Sequence, residues 1–546
     1  MNVKQLSRAI LAAGTMLTGF PALAQQPGTN FFSYPPAAAF DGTEIMGPIR
    51  QGATNRSATL SAILNSGVGG VNIKSMGAKC DGATDDTVAL NATLAANRVV
   101  LISAGTGTCM VSGPINIVLD NSILAGSGFN SVTFKSTVAA TPVIKVAAGL
   151  TKVTLHGFSV DRSIPATAGG NGIDYTAGGI DAIVNNILSQ NQWYGFALGP
   201  IAYGLRSENF ALNNYSDGFH YTNLVGNATS QWTGTHNLSQ ANDGWGYNYV
   251  ATVGAGGGLI PLMQLNDTSF GNTLGGVAYH GSPGGPIYDV VVMGGVYGSD
   301  GGPELYFDTY GGQHRVGGGA LIELAGQAPT GRNLLTAPKF VGRGIDITGA
   351  NNDVTIGQVL VSSNSQDGLA SGAQRTVVSG AATFADNGQA SIGTYSGMYF
   401  NNNAINATVV VTGARSGNAN NPNNAQGTGI GLLSGVNASI IGNDLTRNAV
   451  AGLAVGTNAT SLTAYGNLGA VTSTSGVGNI PVGATSVVIT HGMSFTPTQT
   501  VVTPTTFQGS GNIWVDTITA TTFTVHLSVS YTSLVGFSWL AKIFNT

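Results

Sequence analysis

Charge is scarce in this chain of 546 residues: 20 Lys and Arg with 24 Asp and Glu amount to 8% of it, against roughly 25% in an ordinary globular domain. A net charge of −4 with scattered bases provides no basic stripe, so nucleic acid is excluded as a partner. Cysteine is nearly absent. Cys80 and Cys109 lack the flanking His residues of a zinc site or thiol nucleophile, and neither metal nor cofactor is expected. No stretch reaches ~18 uninterrupted apolar residues, so no membrane span is expected. Although 81 residues are Gly, there is no Gly-X-Y period, and an apolar content of 42% argues against both collagen and disorder. The chain should fold, and mostly as sheet.

The start reads as export. Lys4 and Arg8 precede an apolar run from Ala9 to Phe20 and a small-residue cleavage site, Ala22-Leu23-Ala24. Residues 1–24 are therefore expected to be a signal peptide, the protein secreted or periplasmic, and 25–70 an extended arm or linker.

From about 115 to 470, short alternating stretches are separated by Asn, Gly, Ser and Asp turns. Asn191-Gln192-Trp193-Tyr194-Gly195-Phe196, Asn214-Tyr215-Ser216-Asp217-Gly218-Phe219, Ala241-Asn242-Asp243-Gly244-Trp245 and Asn272-Thr273-Leu274-Gly275-Gly276-Val277 can be written one beneath another. Gly195 and Gly218 are 23 residues apart, Gly218 and Gly244 26, a spacing suited to one turn of a parallel coil. After Ile480 the text changes to Thr- and Val-rich strands, suggesting a small antiparallel sandwich over 475–546 with Trp514 and Trp539 in its core.

The segment Val71-Asn72-Ile73-Lys74-Ser75-Met76-Gly77-Ala78-Lys79-Cys80-Asp81-Gly82-Ala83-Thr84-Asp85-Asp86-Thr87 is similar to the opening of the pectate-lyase superfamily: a strand, Gly-Ala-x-Gly-Asp-Gly-x-x-Asp-Asp-Thr, then a helix. The resemblance implies an all-β right-handed parallel β-helix over 71–470, closed by a short N-terminal capping helix, with Asp81, Asp85 and Asp86 as capping residues. Cys80 replaces the usual Gly, and Cys109 falls where that family usually has Tyr; the coincidence points to a bridge between them. The leader after Tyr34 and the C-terminal module resemble those of tailspike proteins, which implies glycan binding and a homotrimer.

In such a coil each strand alternates inward and outward residues, and neighbouring rungs stack about 4.8 Å apart. Anchoring on Gly195, Gly218, Gly244, Gly276 and Gly302 sends Phe196/Leu198, Phe219/Tyr221, Trp245/Tyr247, Val277/Tyr279 and Pro303/Leu305 inward. His220/Thr222, Gly246/Asn248, Ala278/His280 and Glu304/Tyr306, then Asp308, face out, with Asn248, His280 and Tyr306 in one column. Using Gly301 for the last rung would instead bury Glu304 and Tyr306. A trough lined by His, Asn, Tyr and a carboxylate suits a sugar chain.

Elimination from an acidic polysaccharide needs a base for the proton beside the carboxyl group, an acid for the leaving oxygen and neutralisation of the carboxylate. His280 as base and Tyr306 as acid, with Asn248, His220 or Arg315 as neutralising group, make a lyase the first expectation. A glycoside hydrolase on the same scaffold would need two carboxyl groups about 5–10 Å apart. Glu304 and Asp308 are too far apart along one strand, whereas Asp217, Asp243 and Asp300 lie at a common turn edge. Asp217 and Asp243 also precede Gly in turns, where Asp is favoured on geometry alone. Trp193 and Tyr194 could stack on sugars or simply pack a turn. A non-catalytic glycan-binding protein is the reading from a different class.

Overall fold

The computed structural model describes residues 45–51, 54–59 and 70–542, without 130, 223–229, 252–258, 283–284, 310–312, 324, 326–341, 349–352, 402–406, 419–424, 434–435, 457–460, 471–472, 494–495 and 507–510. The chain divides into two units, Met1–Gly69 and Gly70–Thr546. In the first, Ile45–Gln51 and Thr54–Thr59 pair as an antiparallel hairpin; the expected signal peptide lies outside the described residues.

The second unit is a parallel β-helix. One wall is a sheet of 13 parallel strands running in chain order from Ile115–Ile117 to Ala451–Val455. The remaining coil strands pair in parallel with strands one turn later, as Ala182–Gln190 does with Gly204–Ser207 and Phe210–Leu212. At the N-terminal end the helix Thr87–Ala96 buries Leu90, Thr93 and Leu94, and Asn91 bonds the carbonyl of Pro114 and the amide of Asn116. The Asp81 and Asp85 carboxylates, held near pKa 2 by local hydroxyl and amide donors, and Asp86, bonded to the amides of Lys79 and Cys80, all serve this entry turn. Cys80 and Cys109 form a disulfide.

Because side chains repeat in register, the interior is stacked. Phe196, Phe219 and Tyr247 form one column with centroids 4.6 and 4.8 Å apart, and Tyr221, Tyr249, Tyr279 and Phe307 another at 4.2, 4.9 and 5.0 Å. Arg206, fully buried, lies over the rings of Phe219, Tyr221 and Tyr247 and pairs with Asp267 at 2.9 Å. A second ladder runs through the turn before each strand: the amide of Asn214 donates to Asn242, Asn242 to Asn272 and Asn272 to Asp300 at 2.7–2.9 Å. Buried amides stacked this way satisfy one another and lock rung to rung. They also explain the glycines. A Cβ at Gly218 would lie 2.0 Å from the Ser239 hydroxyl oxygen, and one at Gly246 2.4 Å from that of Ser269.

The register differs from the sequence expectation on two rungs. His220 pairs with Asn248, Asn248 with Ala278, and Ala278 with Tyr306, while His280 pairs with Val250 and Asp308. Gly246 therefore aligns with Gly218 in place of Gly244, and Glu304 itself occupies the glycine position in place of Gly302. Each shift is two residues, so the facing of Asn248, Tyr306 and Asp308 is preserved.

Beyond the coil, Ser473–Ile480, Val535–Lys542 and Gln499–Pro504 form one antiparallel sheet, and Ser486–Thr490, Thr522–Leu527 and Ile513–Asp516 another. Phe523 of one meets Trp539 of the other edge to face at 5.4 Å.

Candidate functional site

Asp217 organises the site. It precedes Gly218 at the entry to the strand Phe219–Thr222, and it is buried. One carboxylate oxygen accepts the backbone amide of Trp245 at 2.8 Å; the other accepts Nδ2 of Asn248 at 2.9 Å and Nδ1 of His220 at 2.7 Å. A carboxylate oxygen accepts, so the ring N–H that meets Asp217 is that of His220 Nδ1. Gly244 is required beneath it, since a Cβ there would lie 2.2 Å from the Asp217 oxygen.

Tyr194 stacks on the His220 ring at 4.0 Å and 7°, and Trp193 lies 6.2 Å from Tyr194. On the following rungs Trp245 stacks with Tyr306 at 5.9 Å and 23° and meets His280 edge-on at 5.9 Å, while His280 and Tyr306 are 5.4 Å apart. Gly275 makes this possible: a Cβ there would lie 2.2 Å from the indole. Ala278, buried between Asn248 and Tyr306, is a small floor among larger neighbours.

The electrostatics follow from partial burial. Desolvation lowers the His280 pKa below 6.5, with His220 adding to the effect against the opposing charges of Asp308 and Asp217, so His280 is neutral at pH 7. Burial raises the Asp308 carboxyl, and His280 beside it moderates the shift. One rung beyond Tyr306, Asp346 is likewise raised by burial although Arg343 pairs with it at 3.1 Å. Arg343 also reaches Asp367 at 3.7 Å. The Thr348 hydroxyl bonds the Tyr306 hydroxyl at 3.3 Å.

Of the residues singled out from sequence, Trp193, Tyr194, Asp217, His220, Asn248, His280, Tyr306 and Asp308 thus fall on one continuous surface. Three do not join it. Glu304 is fully buried behind the glycine column, its carboxyl against Asp300, because the rung begins at its own position. Arg315 is exposed on Gln313–Gly317, a strand paired outside the 13-stranded sheet. Asp243 is half-buried in the turn, its amide bonded to the Asn214 carbonyl. Trp245, expected inside, is buried, but against the outer-face residues Tyr306 and His280. Asp346 was missed; Tyr306-to-Asp346 pairing spans a gap of 40 residues with no repeat signal to bridge it. Among the described residues, the group of candidate metal ligands that lies close together is Cys80, Asp86 and Cys109, two of which are the disulfide.

No family model and no curated protein matches this chain. Solved structures do. The A-module of an Azotobacter vinelandii mannuronan C-5 epimerase superposes with a TM-score of 0.50 at 17% identity, covering 73% of this chain and 98% of the module. Tailspike protein 3 of bacteriophage CBA120 gives 0.50 at 11% identity over 78% of this chain and 65% of its own. A GH87 α-1,3-glucanase from Streptomyces thermodiastaticus gives 0.44 at 17% identity over 73% and 69%. The fold is a right-handed parallel β-helix. In this β-helix the candidate site lies on the outward side of the 13-stranded sheet, near its middle, and among the described residues no helix is long and apolar enough to cross a membrane.

Proposed function

We propose that this β-helix is an exported enzyme that degrades polysaccharide, and that it is a lyase acting on an acidic chain by β-elimination. The observation that carries the reading is the pairing of a neutral, partly buried His280 with Tyr306 beneath the Trp245 indole. A desolvated imidazole is unprotonated where the enzyme works and can accept a proton. His280 takes the proton from the carbon next to the uronate carboxyl group; the electron pair forms the new carbon–carbon double bond; the glycosidic carbon–oxygen bond breaks; and Tyr306 protonates the departing oxygen. Tyr194, half-buried and stacked on His220, offers a ring face to a flanking sugar. Asn248, whose Nδ2 has a second N–H besides the one given to Asp217, faces the carboxyl group. The similar A-module belongs to a mannuronan C-5 epimerase, and a polymer of that class is the substrate we propose to test first.

Two carboxyl groups with raised pKa values, Asp308 and Asp346, favour hydrolysis as the second reading. Asp346 lies opposite Tyr306, and Asp308 two residues along, so their Cα atoms are about 8 Å apart at ~3.3 Å per residue and ~4.8 Å per rung. Side chains so placed on neighbouring rungs can bring their carboxyl groups to the roughly 6.5–9.5 Å that inverting glycosidases use.

Incubation with polymannuronate, pectate and neutral glucans separates the two. New ultraviolet absorbance from an unsaturated end, abolished in His280→Ala, marks elimination. Reducing ends without that absorbance, lost in Asp346→Asn, mark hydrolysis, and binding without either product marks a glycan-binding protein. Export is tested by N-terminal sequencing, with Gln25 expected first, and a homotrimer by light scattering.

A further inference from the structure

Trp514 departs from the core position expected of it. It lies on the edge strand Ile513–Asp516, 44% exposed, on the outer face of its sheet. Its cross-strand partner is His526, whose ring lies parallel to the indole at 5.4 Å and 14°. Asp516, two residues on and on the same face, accepts His526 Nε2 at 2.8 Å and also bonds the Trp514 side chain. The Thr517 hydroxyl donates to the same carboxylate at 2.9 Å, and these donors hold it below the usual carboxylate range. One carboxylate therefore fixes the orientation of two aromatic rings at the surface. His526 backs one face of the indole. Because the strand is an edge, among the described residues no neighbouring strand of that sheet stands on the other side. The row is bordered by Ser486, Thr522 and Thr524 on the same outer face.

A rigid, half-exposed indole loses water from a large apolar face whenever something flat covers it, worth about 25 cal/mol per Å². The ligand that matches is one with an apolar face and a hydroxyl rim. We infer that Trp514, His526 and Asp516 form a second saccharide site, stacking a neutral hexopyranose unit on the free face of Trp514, with the ionised Asp516 accepting one of its hydroxyls. A uronate would bring its carboxylate against Asp516, so neutral units are favoured. The site is separate from the coil surface described above and does not depend on the reaction proposed there.

Affinity electrophoresis of the full chain in native gels containing dextran, barley β-glucan or polymannuronate tests this. Retardation by a neutral glucan is expected, weakened about tenfold in Trp514→Ala and largely restored in Trp514→Phe, which keeps a ring face. His526→Ala should weaken it less, since the indole remains but loses its backing. An unretarded wild type in both neutral glucans, or equal retardation of Trp514→Ala, overturns the proposal. So does a fall in particle mass of Trp514→Ala by light scattering with retardation unchanged, which would place the indole in a contact between copies. Being exposed, Trp514 can be replaced without opening the core, and a thermal melt of each variant verifies that it folds.

Discussion

Replacing Glu304 by Gln isolates a buried acid pair from every other titrating group in the molecule. Glu304 stands where other rungs carry Gly195, Gly218, Gly246 and Gly276, and its carboxyl is hydrogen-bonded to Asp300, the acid that ends the buried Asn ladder. Burial raises both; Asp300 moves from 3.8 to about 6, and Glu304 is pushed further by burial, by Asp300 and by Glu323. A carboxyl whose pKa is higher folded than unfolded holds its proton more tightly in the folded state. Its contribution is present below the unfolded pKa and lost as pH rises through the folded one. For Asp300 that window runs from about pH 4 to just above 6, and about two pKa units at 1.4 kcal/mol each amount to about 3 kcal/mol. Glu304 adds to the loss at higher pH. With an unfolding entropy of roughly 2 cal/mol/K per residue, a coil unit of this size loses about 3 °C of Tm for that energy. In Glu304→Gln the amide can donate to Asp300 at any pH, so the titration of Glu304 and its repulsion with Asp300 are gone, while the burial of Asp300 remains in both proteins. Melts followed by circular dichroism at pH 5 and pH 8 should show the wild-type Tm falling by more than that of the variant, the difference being what Glu304 adds. Equal pH dependence in the two proteins would refute the reasoning.

Further outcomes concern the site and the entry turn. The lowered pKa of His280 places the acid limb of its pH–rate profile below pH 6.5, with activity kept above it, and a limb above 6.5 would deny it the role of base. His280→Ala and Tyr306→Phe should each cut turnover at least a hundredfold, as general acid–base groups do, with little change in melting temperature. Asp217→Asn turns an amide N–H toward at least one of three donors, and should cost about 1–3 kcal/mol of stability and at least tenfold in rate through the misplaced His220; undiminished activity would show that Asp217 is only a turn residue. Reducing the Cys80–Cys109 bridge, or replacing both by Ser, releases a loop spanning 29 residues and should cost about 3–4 kcal/mol, read as a lower denaturation midpoint.

Much of this was legible from residue order because it rests on local rules. The glycine-punctuated repeat and the alternation of apolar with polar residues announce a coil, and alternation alone assigns Asn248, His280, Tyr306 and Asp308 to the outer side. The rung origin is different. Whether a strand begins after Gly244 or Gly246, or at Glu304, depends on which residue sits against Ser269, Asn272 or Asp300 of the adjoining turn, a contact between positions 23 to 26 residues apart for Gly246 and Gly276. A two-residue slip leaves facing intact but moves each side chain one column, so Asn248 lies beside His220, and Glu304 turns into the ladder. Trp245 packs, buried, against the outer-face rings of Tyr306 and His280 only because Gly275 on the next rung has no side chain to oppose it, and Asp346 pairs with Tyr306 across a gap of 40 residues. Facing is a property of one strand and its period of two. Neighbourhood is a property of stacked strands, and side-chain packing between coils had to decide it.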